Sequence, residues 1–211
     1  MMPDKIERLH HQLSLTLPGA DAQMKMAPDF RGEFYAEPPQ QPAAVLILIY
    51  SQNNSWYTIL VKRTEYEGHH SGQISLPGGK FEPGDKNIMN TSLRETSEET
   101  GIKKHEFRII GQLTPLIIPV SNFKVYPFVG YAEKKPDFYP DLNEVEYIIE
   151  VDLHLLIQPE TRKITYMNIR GHRVKVPYFD YNGNQIWGAT AMMLSEFLEI
   201  LEKSEFSAGQ K

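Results

Sequence analysis

Two spacings of apolar residues alternate along the chain. Ile6, Leu9 and Leu13 stand at i, i+3 and i+7 between Pro3 and Pro18-Gly19, the pattern of a short amphipathic helix. The stretch that follows carries Pro18, Pro28, Pro38, Pro39 and Pro42 and suits a wrapping segment or linker. Val45–Tyr50 is then continuously apolar, as a strand buried on both faces should be. A turn-rich Ser51–Ser55 separates it from a second strand at Tyr57–Arg63. Further strands are expected at Phe107–Thr114, Lys124–Tyr131, Val145–Val151 and Ile164–Ile169. Val174–Tyr178 alternates, and Asn182-Gly183 turns the chain towards Ile186-Trp187, a hairpin signal. Longer helices are expected at Asn87–Thr100, stopped by Gly101, and at Ala189–Lys203. The second places Met192, Met193, Phe197, Ile200 and Leu201 on one side, with its methionines as core filler.

Strands before a helix, more strands and a closing helix predict an α/β (α+β) sandwich. The expected organisation is an N-terminal helix with a proline-rich extension over 1–42, a main domain over 43–203 and a short tail over 204–211. The extension is expected to cover a sheet edge or to offer a homodimer surface.

Composition narrows the classes. The 211 residues are 41% hydrophobic and 23% charged, enough for a sizeable core without disulfides. Cysteine is absent, which excludes disulfide scaffolds, thiol catalysis and cysteine-bound zinc. The longest apolar run, Ala43–Tyr50, is far short of the roughly 20 residues of a membrane helix. The opening MMPDKIERLHHQ shows no signal-peptide pattern, so the expected location is cytoplasmic. A net charge of −5 argues against broad binding to a nucleic acid backbone. It leaves room for a small anionic substrate in one locally basic cleft.

The segment richest in chemistry begins at Pro77-Gly78-Gly79-Lys80 and ends at Gly101-Ile102. Glu95, Glu98 and Glu99 sit at i, i+3 and i+4 near the C-terminus of the expected helix, so all three share one face. Negative charge there opposes the helix dipole, and the carboxylates repel one another. A cluster of glutamates on its own also describes a solvated acidic face. The glycine turn upstream, Arg94 beside the acids and the terminal Gly101 favour a hard divalent cation, Mg2+ or Mn2+, held by oxygen ligands. Arg94 would orient one of the acids.

Arg94-Glu95-Thr96-Ser97-Glu98-Glu99-Thr100-Gly101-Ile102, preceded by the glycine loop, resembles the Nudix box. That resemblance implies an α/β/α sandwich with a mixed β-sheet. It also implies a divalent-metal hydrolase that cuts nucleoside diphosphates linked to another group. Glu95, Glu98, Glu99 and Gly79 would hold the metal, and Glu98, Glu99 and Arg94 would serve catalysis. Three departures stand out: the interval from Asp85 to Arg94 is one residue longer than usual, Asp85 replaces a glutamate, and Thr96 replaces an apolar residue. Ile59–Thr64, His69–Gly79 and Trp187–Thr190 are similar to the signature of the coenzyme A pyrophosphatase branch, which tolerates the longer interval. The implied products from coenzyme A or acyl-CoA are 3′,5′-ADP and 4′-phosphopantetheine.

Among the acids of Asp141–Glu146, Glu144 is the candidate general base. Lys62, Arg63, His69 and Lys80 are candidate substrate contacts for a 3′-phosphate, with Arg63 favoured because a guanidinium can grip phosphate with two hydrogen bonds. Other Nudix substrates (ADP-ribose, dinucleoside polyphosphates, modified nucleoside triphosphates) form the rival enzymatic reading. A nucleotide-binding module without turnover is the non-enzymatic one. Gly79-Lys80 lacks the surroundings of a Walker loop, and the seven histidines form no His-Glu-x-x-His pattern.

Overall fold

The computed structural model describes residues 2–29, 39–65, 72–169 and 171–206. Its centre is strand β1, Gln41–Gln52, which begins earlier than its apolar run because Gln41–Ala43 already pair with a neighbour. The other strands are β2 (Ser55–Arg63), β3 (Ile74–Ser75), β4 (Gly78–Lys80), β5 (Arg108–Gln112), β6 (Leu116–Ile118), β7 (Phe123–Ala132) and β8 (Val145–Asp152). β1 runs parallel to the whole of β7, from Gln41↔Phe123 to Tyr50↔Ala132. It runs antiparallel to β2 at one end and to β4 at the other. β8 lies antiparallel along β2, and β5 and β6 along β7, giving one mixed sheet. A separate antiparallel sheet joins β9 (Arg162–Ile169), β10 (His172–Tyr181) and β11 (Asn184–Trp187), with Asn182-Gly183 at the expected hairpin turn.

Alternation along β1 divides the interior into two. Ala43, Ile47 and Ile49 face a core completed by helices α1 (Met2–Ser14) and α5 (Gly188–Phe206), and helix α2 (Gly19–Met24) packs against α5. Ala44, Leu46, Leu48 and Tyr50 face the other, against Ile88, Met89 and Leu93 of helix α3, Ile88–Thr100. Helices on both faces explain why β1 is apolar without a break. Ile6, Leu9 and Leu13 are all buried, and the closing methionines Met192 and Met193 pack in the first core.

The structure differs from the sequence pattern at several points. A helix, α2, occupies part of the stretch expected to be a proline-rich linker. Gln23 on α2 is buried because its amide donates to Glu196 Oε2 at 2.8 Å and to the Thr114 carbonyl at 2.9 Å. The strand expected to span Phe107–Thr114 is shorter, Arg108–Gln112, and its pairing with β7 shifts register between Ile109 and Gly111. A short helix α4, Leu153–Ile157, is capped by Asp152, whose carboxylate accepts from the amides of His154 and Leu155. Its one sequence signal is Asp152 ahead of Leu153–Ile157.

Candidate active site

Helix α3 is bounded as its sequence predicts. Asn87 caps the N-terminus by accepting from the Asn90 amide at 2.9 Å, and Gly101 ends the helix at φ 76°. A side chain at Gly101 would also run into Tyr139. Thr91, Ser92, Thr96, Glu99 and Thr100 are buried against the sheet; Thr96 therefore takes the core position of the apolar residue it replaces.

The glycine loop reaches this helix through two close approaches. A Cβ on Gly78 would lie 2.3 Å from the Ala44 carbonyl oxygen, so only glycine lets β4 lie against β1 here. A Cβ on Gly79 would lie 2.4 Å from the Glu95 carboxyl carbon. The space a side chain would need at Gly79 is filled by an acid of the helix.

Arg94 is a hub. Its Nε and Nη2 donate to the two Asp85 oxygens at 2.7 and 3.1 Å, and Nη1 donates to Glu98 Oε2 at 2.8 Å. Nη1 also lies 3.0 Å from Glu95 Oε1, and Nη2 donates to the Lys80 carbonyl at 3.1 Å. Asp85 is buried and accepts in addition from Thr91 Oγ1 and the Glu82 amide, both at 2.9 Å. The Arg94 guanidinium, above all, holds the Asp85 carboxyl well below the usual carboxylate range. Asp85 thus anchors Arg94, and Arg94 fixes the rotamers of two glutamates.

The three glutamates lie in different surroundings. Glu98 is largely exposed and tied to Arg94. Glu95 is mostly covered, and burial pushes its pKa up against the opposing pull of Arg94. Glu99 is 1% exposed. One of its oxygens accepts from the Gly78 amide at 2.9 Å, while Oε1 stands 2.8 Å from Arg63 Nη2. That contact is an ion pair without hydrogen-bond alignment, and Oε1 accepts no hydrogen bond. Burial, the largest effect, pushes Glu99 up to about 7; Arg63 and the Gly78 amide oppose the rise, while Glu95 and Glu144 add to it.

A divalent cation suits this donor set. Glu99 Oε1 is a buried oxygen lacking a donor, beside a second partly desolvated carboxylate, and both are hard ligands. Among the described residues no three acids or histidines already converge as a cage; Glu98 and Glu95 both lean on Arg94 Nη1. Gly79 shapes the site through the space it leaves to Glu95.

Glu144 is exposed at the entry to β8, with its carbonyl accepting from the Thr64 amide at 3.0 Å. Its charge is felt at Glu99. Arg63, expected to grip a substrate phosphate, instead has internal partners: Glu99, the Gly78 carbonyl and Ser75 Oγ. The Lys62 ammonium donates to the Gly72 carbonyl. Lys80 is exposed at the end of β4. His69 lies outside the described residues. Sequence reasoning passed over Ser75, Thr91 and Glu82; for Glu82, the run Glu-Pro-Gly-Asp offered a capping-box signal.

A family model, the NUDIX domain, matches residues 40–166. Nudix hydrolase 15, mitochondrial, of Arabidopsis thaliana is 32% identical over 74% of this chain and 56% of its own length. Mitochondrial coenzyme A diphosphatase NUDT8 of Homo sapiens is 31% identical over 69% of this chain and 61% of its own length. The chain thus spans less than two thirds of either relative. Among solved structures, a MutT/nudix family protein from Enterococcus faecalis superimposes with a TM-score of 0.51 at 13% identity, over 81% of this chain and 65% of that one, which supports the fold. On the extent of the family match and of these relatives, the chain belongs to the Nudix family.

Proposed function

We propose that the chain hydrolyses the diphosphate of coenzyme A or an acyl-CoA, releasing 3′,5′-ADP and 4′-phosphopantetheine. Nudix hydrolases generally require divalent cations. The observation that carries the reading is the buried, underbonded Glu99 carboxylate, set between a glycine loop and a second desolvated acid. The coenzyme A assignment draws on the signature at Ile59–Gly79 and on the relative named as a coenzyme A diphosphatase.

Glu95, Glu99 and Glu98 would hold Mg2+ or Mn2+, which when bound neutralises diphosphate charge and eases deprotonation of water. The chain's own residues do the positioning. Asp85 holds Arg94, and Arg94 holds Glu95 and Glu98. Water attacks one phosphorus, the bond from that phosphorus to the bridging oxygen breaks, and the water's proton passes to Glu144 as base. Lys62 and Lys80 are the cations proposed for the 3′-phosphate. The proposal includes a cytoplasmic setting, tested by fractionation, and a homodimer, tested by light scattering.

Incubation with coenzyme A, ADP-ribose, a dinucleoside polyphosphate and nucleoside triphosphates under Mg2+ or Mn2+ decides the substrate. Fastest release of 3′,5′-ADP from coenzyme A is expected. Faster cleavage of another member of the panel would transfer the assignment to it, and binding without turnover would favour a nucleotide-binding module.

A further inference from the structure

Arg63 closes β2 at an irregularity: the register against β8 shifts between Lys62 and Arg63. The extra residue is Glu146 of β8, and Arg63 stays in step with Tyr57 and Ile59 on the face of β2 that meets α3. The backbone on either side is pinned, the Arg63 amide donating to the Gln73 carbonyl at 3.0 Å and the Thr64 amide to the Glu144 carbonyl at 3.0 Å. The guanidinium is turned inwards and only 19% exposed. There it joins three separate parts of the chain: Nε donates to Ser75 Oγ at 3.1 Å, Nη2 donates to the Gly78 carbonyl at 2.7 Å, and the same Nη2 stands 2.8 Å from Glu99 Oε1. Glu99 in turn accepts from the Gly78 amide. Arg63, the Gly78 peptide and Glu99 therefore close a ring of contacts.

We infer that Arg63 is a positioning residue, which locks the Glu99 carboxylate against the Gly78 peptide, and that it does not bind a substrate phosphate. The Nε and Nη2 edge of this guanidinium is taken up by Ser75, the Gly78 carbonyl and Glu99, so a phosphate gripping that edge would displace them and leave a fully buried carboxylate without its counter-charge. Lysine is a poor substitute, because an ammonium is a point charge without the planar fork that reaches several acceptors at fixed angles. The inference rests on the reading that Glu99 serves the reaction, and it adds a second arginine beside Arg94. Arg94 holds Glu95 and Glu98, whereas Arg63 holds Glu99 from β2.

The test uses the full chain and Arg63→Lys, Arg63→Gln and Ser75→Ala. Mn2+ affinity is measured by paramagnetic resonance titration without substrate. Then kcat and KM are measured with coenzyme A and with its 3′-dephospho form, or with whichever diphosphate the wild-type protein cleaves. Arg63→Gln is expected to weaken Mn2+ binding and to lower kcat by about 10- to 100-fold each, leaving the ratio of KM values for the two coenzyme A forms unchanged. Arg63→Lys should fall between it and wild type, and Ser75→Ala should lower kcat only a few-fold. If Arg63→Gln fails to fold by circular dichroism, Arg63→Lys carries the comparison. Unchanged Mn2+ affinity with a KM rise confined to the 3′-phosphorylated substrate overturns the inference in favour of a phosphate contact. Silent variants overturn it as well. Weakened Mn2+ binding in a protein that cleaves nothing in the panel would sink the activity reading and leave the positioning role standing. A wild-type protein that binds no Mn2+ sinks both.

Discussion

Asp85 and Arg94 are joined by paired hydrogen bonds, Nε to Oδ1 at 2.7 Å and Nη2 to Oδ2 at 3.1 Å. This fork leaves one edge of the guanidinium to serve Glu95 and Glu98. Asp85→Ala removes the acceptor for Arg94, Thr91 and the Glu82 amide together. It is expected to destabilise the fold by about 2–3 kcal/mol, measured by urea unfolding, and to reduce turnover through a loosened Arg94.

The same pair has a pH signature. The folded-state pKa of Asp85 lies below the unfolded value, which is about 3.9. Its contribution is therefore complete above the unfolded pKa and is lost as pH falls through the folded one. The stability gap between wild type and Asp85→Asn should narrow as pH drops from about 5 to about 2. A gap that stays constant over that range would show that the ion pair is not its source.

Adjacent glycines should fail in different ways. In Gly78→Ala the new methyl meets backbone, the Ala44 carbonyl and Val45 Cα, and nothing nearby can yield cheaply. Unfolding should occur at markedly lower urea. In Gly79→Ala the methyl meets the Glu95 carboxylate, which can swing aside. That variant should stay folded by circular dichroism yet lose turnover, by about tenfold or more. Equal stability losses in the two would contradict the contact geometry.

Glu98 and Glu99 differ in surroundings more than their spacing suggests. Glu98→Gln alters an exposed side chain and should leave stability within about 0.5 kcal/mol of wild type. Glu99→Gln changes a buried one and should move the melting temperature measurably. Both are expected to lower turnover by at least about 100-fold, the upper end for groups that merely orient ligands. Full activity in either variant would remove that residue from the catalytic assignment.

Helix α1 supplies Ile6, Leu9 and Leu13 to the core shared with α5. Leu9→Ala should therefore destabilise the chain by about 2–4 kcal/mol. A change under about 0.5 kcal/mol, the level of a surface substitution, would mean that α1 rests loosely on the domain.

What the sequence disclosed depended on how local each signal was. β1 was legible because burial on two faces leaves an unbroken apolar run, and α3 because Asn87 and Gly101 mark its ends. α2 was hidden: its six residues are too few to show a period, and the partners of the buried Gln23, Thr114 and Glu196, both lie far along the chain. β4 is Gly-Gly-Lys, whose strand character comes wholly from pairing with β1. The acidic triad and Arg94 were visible in their spacing. The pairing of Arg63 with Glu99 was not: strand alternation puts Arg63 on the face of Tyr57 and Ile59, but Glu99 comes 36 residues later in the chain.

The parallel ladder between β1 and β7 couples assembly of the site to assembly of the whole sheet. Its partners are about eighty residues apart in the chain, and such distant pairings form slowly because a long segment must first be closed. β1 is also the platform on which Gly78 and Gly79 lie. Nascent or partly denatured chains can thus possess a formed α3 while the loop beneath it has no seat, so recovery of activity during refolding should trail recovery of helical signal.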